Sequence, residues 1–186
     1  SIDKAYRISS TLERGTVMRV AECIDNAGGK GLNASRSVAT CGEKVLSTGF
    51  VGGNNGRLLC ELLDRDKIPH DFVKVATETR CCVNVLEPDG LSTEFLEPGR
   101  EVTSEELAAL EERLVSLVSR ADVVTMSGSF PKGLPADTYV RLIKLVRSQG
   151  KPCILDTSGA TLKASIDALP TMVKPNTDEI GQILGR

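Results

Sequence analysis

A helix, a strand and a polar loop follow one another in residues 103–129, TSEELAALEERLVSLVSRADVVTMSGS. Thr103 and Glu106 have the spacing of a capping box, and the leucines after them recur every three or four residues, as on one face of a helix. The apolar run 122–126 that comes next has the length of a buried strand, and Ser-Gly-Ser follows it. Helix-like and strand-like segments alternate through most of the chain, which predicts the α/β fold class, with a parallel sheet covered by helices.

Composition excludes several classes of protein. The 186 residues are expected to form one domain, 1–186. A formal net charge of −2 and an aromatic content of 3% argue against nucleic acid as a partner, because they supply neither a basic field nor stacking platforms. The six cysteines form no C-x-x-C pair, no apolar run is long enough to cross a membrane, and the chain opens on Ser-Ile-Asp-Lys. We therefore expect a cytoplasmic protein with reduced thiols.

Two parts of the chain predict antiparallel strands. Residues 81–87 and 91–96 flank the turn signal Pro-Asp-Gly at 88–90, and the opening stretch up to Asp25 has room for two more strands. A small β excursion attached to the main sheet is therefore expected. Loops after the predicted parallel strands carry more functional weight, because ligands of open α/β sheets bind beyond the carboxyl ends of strands. These loops are 127–133, 156–159 and 174–176.

The most distinctive segment is Gly-Gly-Lys-Gly-Leu-Asn at 28–33, where a helix is predicted to begin. Consecutive glycines let backbone N–H groups approach a ligand closely at the positive end of a helix, which suits an oxygen-rich ligand. A purely structural turn is the alternative. The segment is not a Walker A loop, since Gly31 rather than Ser or Thr follows Lys30, and it lacks the G-x-G-x-x-G spacing of a dinucleotide site.

Other polar residues each allow two interpretations. Ser127 and Ser129 lack the surroundings of a hydrolase nucleophile, and their hydroxyls either bind a ligand phosphate or cap the next helix. Asn176 and Glu179 either hold hydrated Mg²⁺ or form an N-cap with its partner carboxylate, which the residues alone favour. Arg80 is either a bidentate phosphate ligand or a solvated strand-edge arginine.

Six segments, in their order and spacing, together resemble the ribokinase-like (PfkB) carbohydrate kinases over the whole chain. They are SID at 1–3, AGGKGLNASR at 27–36, ETR at 78–80, SGSFPKG at 127–133, LDTSG at 155–159 and VKPNTDE at 173–179. The chain is most similar to the branch that contains tagatose-6-phosphate kinase and 1-phosphofructokinase. This resemblance implies a three-layer α/β/α ribokinase-like fold with a small β-sheet lid, whose strands come from about 1–25 and 81–96.

The resemblance also implies a set of site residues. The sugar would be bound by Asp3, Gly28, Gly29 and Asn33, with Asp3 accepting hydrogen bonds from sugar hydroxyls. The phosphate already on the substrate would be held by Arg19, Arg80 and Ser129. The cofactors would be ATP and Mg²⁺, contacted by Lys174, Asn176 and Glu179, with Glu179 acting on the metal indirectly.

The implied reaction transfers the γ-phosphoryl group of ATP to a ketohexose monophosphate. Tagatose 6-phosphate, giving tagatose 1,6-bisphosphate, is the first expectation, and fructose 1-phosphate is the alternative acceptor. The family's catalytic aspartate lies in a Gly-Ala-Gly-Asp-type motif, which does not occur in residues 1–186 and is expected beyond Arg186. Without that base, a non-catalytic sugar-phosphate binding module is the alternative of another class. The expected partner is a small-molecule sugar phosphate, and the lid is a candidate surface for a homodimer.

Overall fold

The computed structural model describes the backbone of residues 1–184 and the side chains of residues 1–181. The chain divides into two compact units, Ser1–Arg100 and Glu101–Arg186. Both units contain helices and strands, which confirms the predicted α/β class. Among the described residues, no helix has the length and apolar character needed to cross a membrane.

The first unit contains six strands and two helices. In chain order they are β1 Ile2–Arg7, β2 Glu22–Ala27, α1 Lys30–Thr40, β3 Phe50–Val51, α2 Gly53–Arg65, β4 Val73–Lys74, β5 Cys81–Leu86 and β6 Ser92–Leu96. Four of the strands form one sheet in the order β2-β1-β5-β6, and β3 pairs with β4 separately. The four-stranded sheet is thus built from the two parts of the chain in which the sequence predicts a β excursion.

The register of this sheet decides which residues meet at each end. Strand β1 is antiparallel to β2 and parallel to β5. Ile2 pairs with Ala27 on one side and with Cys81 on the other. At the opposite end of β1, Arg7 pairs with Glu22. The sheet therefore has one end at Ile2, where the glycine segment begins, and another end at Arg7.

The core of the first unit packs helix α2 against the Ile2 end of the sheet. Leu59, Leu62 and Leu63 recur at helical spacing, are buried, and lie in one cluster with Ile2. Burying each such side chain contributes about 1.5–3 kcal/mol relative to leaving it exposed. This packing holds the start of β1 in place beneath the glycine segment.

The second unit alternates helices with parallel strands. In chain order the elements are α3 Ser104–Val118, β7 Val124–Ser127, α4 Thr138–Ser148, β8 Cys153–Asp156, α5 Gly159–Ile166, β9 Met172–Val173 and α6 Thr177–Leu184. The strands form a parallel sheet in the order β7-β8-β9. Its core is a cluster of buried apolar side chains from helices α3 to α5 and strands β7 and β8. The capping box predicted at Thr103 is confirmed, with Thr103 Oγ1 accepting from Glu106 N and Glu106 Oε2 accepting from Thr103 N.

Two predicted elements of the first unit are wrong in their bounds. Residues 45–48 are predicted to form a strand, but only Ser47 forms a bridge there, and the short strand β3 lies at Phe50–Val51, where the glycines at 49–53 predict a turn. Ser47 is buried and donates its hydroxyl hydrogen to Ser35 Oγ at 2.9 Å, a contact that depends on the tertiary fold. The sequence predicts the next helix over 56–66, but helix α2 begins at Gly53, because Glu78, far along the chain, caps it.

Candidate functional site

The aspartate of β1 lies directly against the first glycine of segment 28–33. A Cβ atom added to Gly28 would lie only 1.9 Å from Asp3 Cγ, so no side chain fits at this position while the carboxylate stays where it is. Gly28 N donates to Ser1 O at 2.8 Å, and the Ser1 hydroxyl donates to Asp3 Oδ1 at 2.8 Å. These contacts fix the carboxylate at the Ile2 end of the sheet.

Helix α1 starts immediately after this contact. Its N-cap is Gly29, whose φ of 106° lies in a region that side chains strongly disfavour. No side chain caps the helix start. Asn33 lies in the first turn of α1 and is exposed. The backbone N–H groups at this helix start have the character of an anion or oxygen site, as the glycine segment predicts.

The segment 78–80 is anchored to the start of helix α2. The Glu78 carboxylate accepts hydrogen bonds from Asn54 N at 3.2 Å and from Asn55 N at 2.6 Å. Asn55 Nδ2 also donates to Thr79 O at 2.9 Å. A carboxylate at a helix N-terminus satisfies unpaired amides and interacts favourably with the helix dipole. The segment that carries Arg80 is thereby tied to a helix 24 residues earlier in the chain.

Arg80 lies beside the start of β1. Arg80 O accepts a hydrogen bond from Ile2 N at 2.9 Å, which continues the ladder between β1 and β5. Since side chains alternate across a sheet, Arg80 lies on the same face as Cys82 and its register partner Asp3. Thr79 strengthens this placement, because its Oγ1 accepts from Gly52 N at 3.0 Å. The fold thus brings Asp3, Gly28, Gly29 and Arg80 together at one end of the sheet.

Arg19 lies at the other end. It belongs to the connection between β1 and β2, it is exposed, and Ala21 N two residues later donates to Arg7 O at 2.7 Å. The six-residue strand β1 separates its two ends by roughly 16 Å at 3.3 Å per residue. Among the hydrogen bonds and ion pairs of the part of the chain that the structure describes, none joins Arg19 to Arg80. The role of Arg19 stays a prediction.

In the second unit, Ser129 follows β7 in a loop that is held from both sides. Gly128 N donates to Asp156 O at 2.9 Å, and Gly128 O accepts from Tyr139 Oη at 3.0 Å and from Thr157 Oγ1 at 2.9 Å. Ser129 itself is exposed. The next helix, α4, has Asp137 rather than Ser129 at its N-cap, so the capping alternative does not apply to this serine.

Lys174 forms an ion pair that the motifs did not indicate. Its Nζ lies 3.4 Å from Asp156 Oδ2, and the Asp156 side chain is 17% exposed against 64% for Lys174. Burial raises the pKa of Tyr139 to about 12, and the negative charge of Asp156 acts in the same direction. The sequence held one indication of this ion pair: the loops 156–159 and 174–176 both follow strands of the predicted parallel sheet. That β8 and β9 are neighbours, which brings the two residues together, is a property of the tertiary structure.

Asn176 and Glu179 form a reciprocal cap at the start of α6. Asn176 N donates to Glu179 Oε2 at 2.8 Å, and Glu179 N donates to Asn176 Oδ1 at 2.8 Å. The capping alternative is therefore present in the structure. Within the described residues, no group of three or more His, Cys, Asp or Glu side chains is arranged to hold a metal ion. Mg²⁺ commonly binds through one or two carboxylates with waters and substrate phosphates, so Glu179 fits a hydrated ion without such a cluster.

An α/β protein with a glycine helix start against an aspartate, beside an arginine, offers a site for an oxygen-rich, anionic ligand. The chain belongs to the pfkB family of carbohydrate kinases, whose family model matches residues 1–186. This finding confirms the resemblance that the six segments indicated.

Solved structures agree with the family. Phosphofructokinase-2 from Escherichia coli in complex with fructose-6-phosphate is 27% identical and superposes with a TM-score of 0.92, covering 100% of this chain and 61% of that one. The tetrameric inhibited form of the same enzyme is 28% identical, with a TM-score of 0.92 and the same coverage. A possible 1-phosphofructokinase from Thermotoga maritima is 27% identical with a TM-score of 0.89, covering 96% of this chain and 58% of that one. The fold is the ribokinase-like fold of these kinases, and the chain spans about 60% of the length of the structures it matches.

Proposed function

We propose that the protein containing this chain is a sugar-phosphate kinase that transfers the γ-phosphoryl group of ATP to a ketohexose monophosphate. The observation that carries the proposal is the placement of Arg80 beside the contact between Asp3 and Gly28. It combines an acceptor for sugar hydroxyls, glycines that let the backbone approach a ligand closely, and a cation for a phosphate whose backbone is held in the sheet ladder. The similar structures are phosphofructokinase-2, in complex with fructose-6-phosphate, and a possible 1-phosphofructokinase, and this similarity supports a sugar phosphate as the acceptor.

The first unit would bind and orient the acceptor. Asp3 accepts hydrogen bonds from sugar hydroxyls, and Arg80 binds the phosphate already on the sugar with a bidentate fork. Phosphoryl transfer depends mainly on positioning and on neutralising charge, so holding the acceptor at two chemically different points is a large part of catalysis. The attacking group is a sugar hydroxyl, whose proton a general base must accept.

The second unit would contribute to nucleotide binding. Lys174 and the Asn176–Glu179 cap lie at and just after the end of β9, which suits contacts to ATP phosphates. Bound Mg²⁺ would neutralise phosphate charge, with Glu179 reaching it through water. In the free protein, the ion pair with Asp156 keeps Lys174 near the end of the strand. When Lys174 binds a phosphate, it either leaves Asp156 or contacts both groups.

The identity of the acceptor can be tested by direct assay. The protein expressed from the complete open reading frame is given MgATP with tagatose 6-phosphate, fructose 1-phosphate or fructose 6-phosphate, and with unphosphorylated tagatose and fructose as controls. We expect a kcat/KM at least 10-fold higher for one of the phosphates, since a charged hydrogen bond contributes about 1.5–3 kcal/mol. Our first expectation among them is tagatose 6-phosphate. Equal kcat/KM for phosphorylated and unphosphorylated sugars would refute the proposal.

We also propose that two copies of the chain associate through the four-stranded sheet. Strand β6 is an edge of that sheet, and the large apolar side chains of Leu91, Phe95 and Leu96, on or next to it, are exposed. Exposed apolar groups along an unpaired edge are typical of a surface that another chain covers. Analytical ultracentrifugation of the wild type and of Phe95→Lys tests this. The wild type should sediment as a dimer or larger, and Phe95→Lys should shift it toward monomer; a monomeric wild type would refute the dimer.

A further inference from the structure

Arg36 is held at three points, none of which its motif alone indicates. Its guanidinium donates to Ala27 O through Nη2, to Asn33 Oδ1 through Nη1 at 3.0 Å, and to Asp66 Oδ2 through Nε at 3.3 Å. The Arg36 side chain is 28% exposed. All three nitrogens of the group are thus engaged, and two of the three contacts go to residues at or next to the glycine segment.

The chemistry of this contact determines which way the Asn33 amide faces. A guanidinium only donates hydrogen bonds, so the atom of the Asn33 amide that faces Arg36 is the oxygen. The amino group of the amide then points away from Arg36. Asn33 is exposed, and with its oxygen engaged by Arg36 the amide offers a ligand its amino group, which can only donate.

We propose that Arg36 is a positioning residue that sets the hydrogen-bond polarity of the sugar site, by holding Asn33 as a donor in the site that also contains the acceptor Asp3. This inference rests on the proposed function. A hydroxyl is the one common sugar group that can accept from an amide and donate to a carboxylate at once, so the arrangement selects a hydroxyl-bearing acceptor over a deoxy one. The contact to Ala27 O adds a tie to the residue before Gly28.

The substitution Asn33→Asp reverses this polarity with almost no change of shape. The new carboxylate still accepts from Arg36, but its outward atom becomes an oxygen that cannot donate. In the protein from the complete open reading frame, the KM for the acceptor sugar phosphate should rise about 10-fold or more, since a donor is lost and two acceptors then face the sugar. The KM for ATP should stay within twofold of the wild-type value. An unchanged acceptor KM in Asn33→Asp would overturn the proposal.

A double-mutant cycle tests whether Arg36 acts through Asn33. Arg36→Met should raise the acceptor KM about 2- to 13-fold in the wild-type background, as expected for one ordinary hydrogen bond, and by much less in an Asn33→Ala background. The matched control is Arg65→Ala, which removes the other guanidinium on Asp66, at 3.2 Å, and has no contact with Ala27 or Asn33 among the described residues. This control should leave the acceptor KM unchanged.

A purely structural role for Arg36 would give a different pattern. Arg36→Met would then raise the acceptor KM equally in both backgrounds, or raise the KM for ATP by a similar factor, and either result overturns the proposal. Should Arg36→Met fail to fold, the Asn33→Asp result decides, because that variant keeps the guanidinium contact. A wild-type protein that neither binds nor phosphorylates any sugar phosphate would refute the proposed function itself, which is a separate outcome.

Discussion

In the first unit the segment that carries Arg80 is anchored through its backbone and through Glu78, whereas in the second unit the side chains of Lys174 and Glu179 are themselves engaged with neighbouring groups. Glu78 binds two amides of α2, and the backbone of Arg80 joins the sheet ladder. Lys174, by contrast, pairs with Asp156, and Glu179 caps reciprocally with Asn176. The backbone that carries Arg80 is therefore held in place before a ligand binds, while Lys174 and Glu179 must exchange some of their contacts when a nucleotide binds.

The largest effect is expected from Gly28→Ala, because it disrupts the contact between Gly28 and Asp3 directly. The new Cβ would lie 1.9 Å from Asp3 Cγ, so either the carboxylate or the loop must move. A displacement of about 1 Å in a site can reduce the rate by about 100-fold. We expect kcat/KM for the acceptor sugar phosphate to fall by about that factor. As a control, Asp3→Ala combined with Gly28→Ala removes the clash, so the double variant should regain the melting temperature that Gly28→Ala alone loses, but not the activity. Normal activity in Gly28→Ala alone would contradict the contact between Gly28 and Asp3.

The next effect concerns the two ends of the four-stranded sheet. Arg80→Ala should reduce kcat/KM for the sugar phosphate by roughly 10- to 150-fold, the loss expected for one charged phosphate contact. Arg7→Ala, at the other end of β1, removes only an exposed ion pair with Glu22 at 3.0 Å and should change kcat/KM by less than twofold. Steady-state kinetics on both variants distinguishes the two ends. Equal losses in the two would show that the Ile2 end has no special role.

A smaller effect is expected on stability when a helix cap is removed, and it distinguishes the long-range cap of α2 by Glu78 from the local cap of α3 by Thr103. Glu78→Ala and Thr103→Ala each remove the group that caps a helix, α2 or α3, and each should lower the free energy of unfolding by about 0.5–2 kcal/mol. Only Glu78→Ala should also raise the KM for the sugar phosphate, by a few-fold, because Glu78 anchors the segment that contains Arg80. Denaturant unfolding and kinetics measure the two quantities. A raised KM in both variants would indicate that stability alone controls the site.

The smallest effect lies in the second unit and depends on pH. Folding raises the pKa of Tyr139 from an ordinary value of 10.0 to about 12, so the folded state binds more protons than the unfolded state between these values. The free energy of unfolding should therefore fall as the pH rises through this window. Tyr139→Phe should make that dependence shallower and lower the stability at neutral pH by about 0.5–1.5 kcal/mol, through loss of the bond to Gly128 O. Tyr6→Phe, which leaves Tyr139 in place, should retain the dependence, and identical pH curves for wild type and Tyr139→Phe would refute the prediction.

Local contacts were predictable from the sequence, and distant ones were not. The capping box depends on Thr103 and Glu106, which are only three residues apart, and the structure confirms it. The start of α2 was predicted three residues late because Glu78, which caps it, lies more than 20 residues away. Arg36 lies inside a segment that the family resemblance singled out, yet its role depends on Ala27, Asn33 and Asp66 meeting one guanidinium.

By itself the sequence determined the α/β class, the capped helix that follows Thr103, the glycine segment at 28–33 and the family, because periodicity, caps and short motifs act between neighbours along the chain. Only the tertiary structure decided that Asp3 lies against Gly28, that Arg80 stands beside β1, and that Arg19 lies at the far end of the same sheet. The physical reason is strand register. Pairing between distant segments determines which side chains converge, and the free energy of that pairing comes from packing the whole unit rather than from any local pattern.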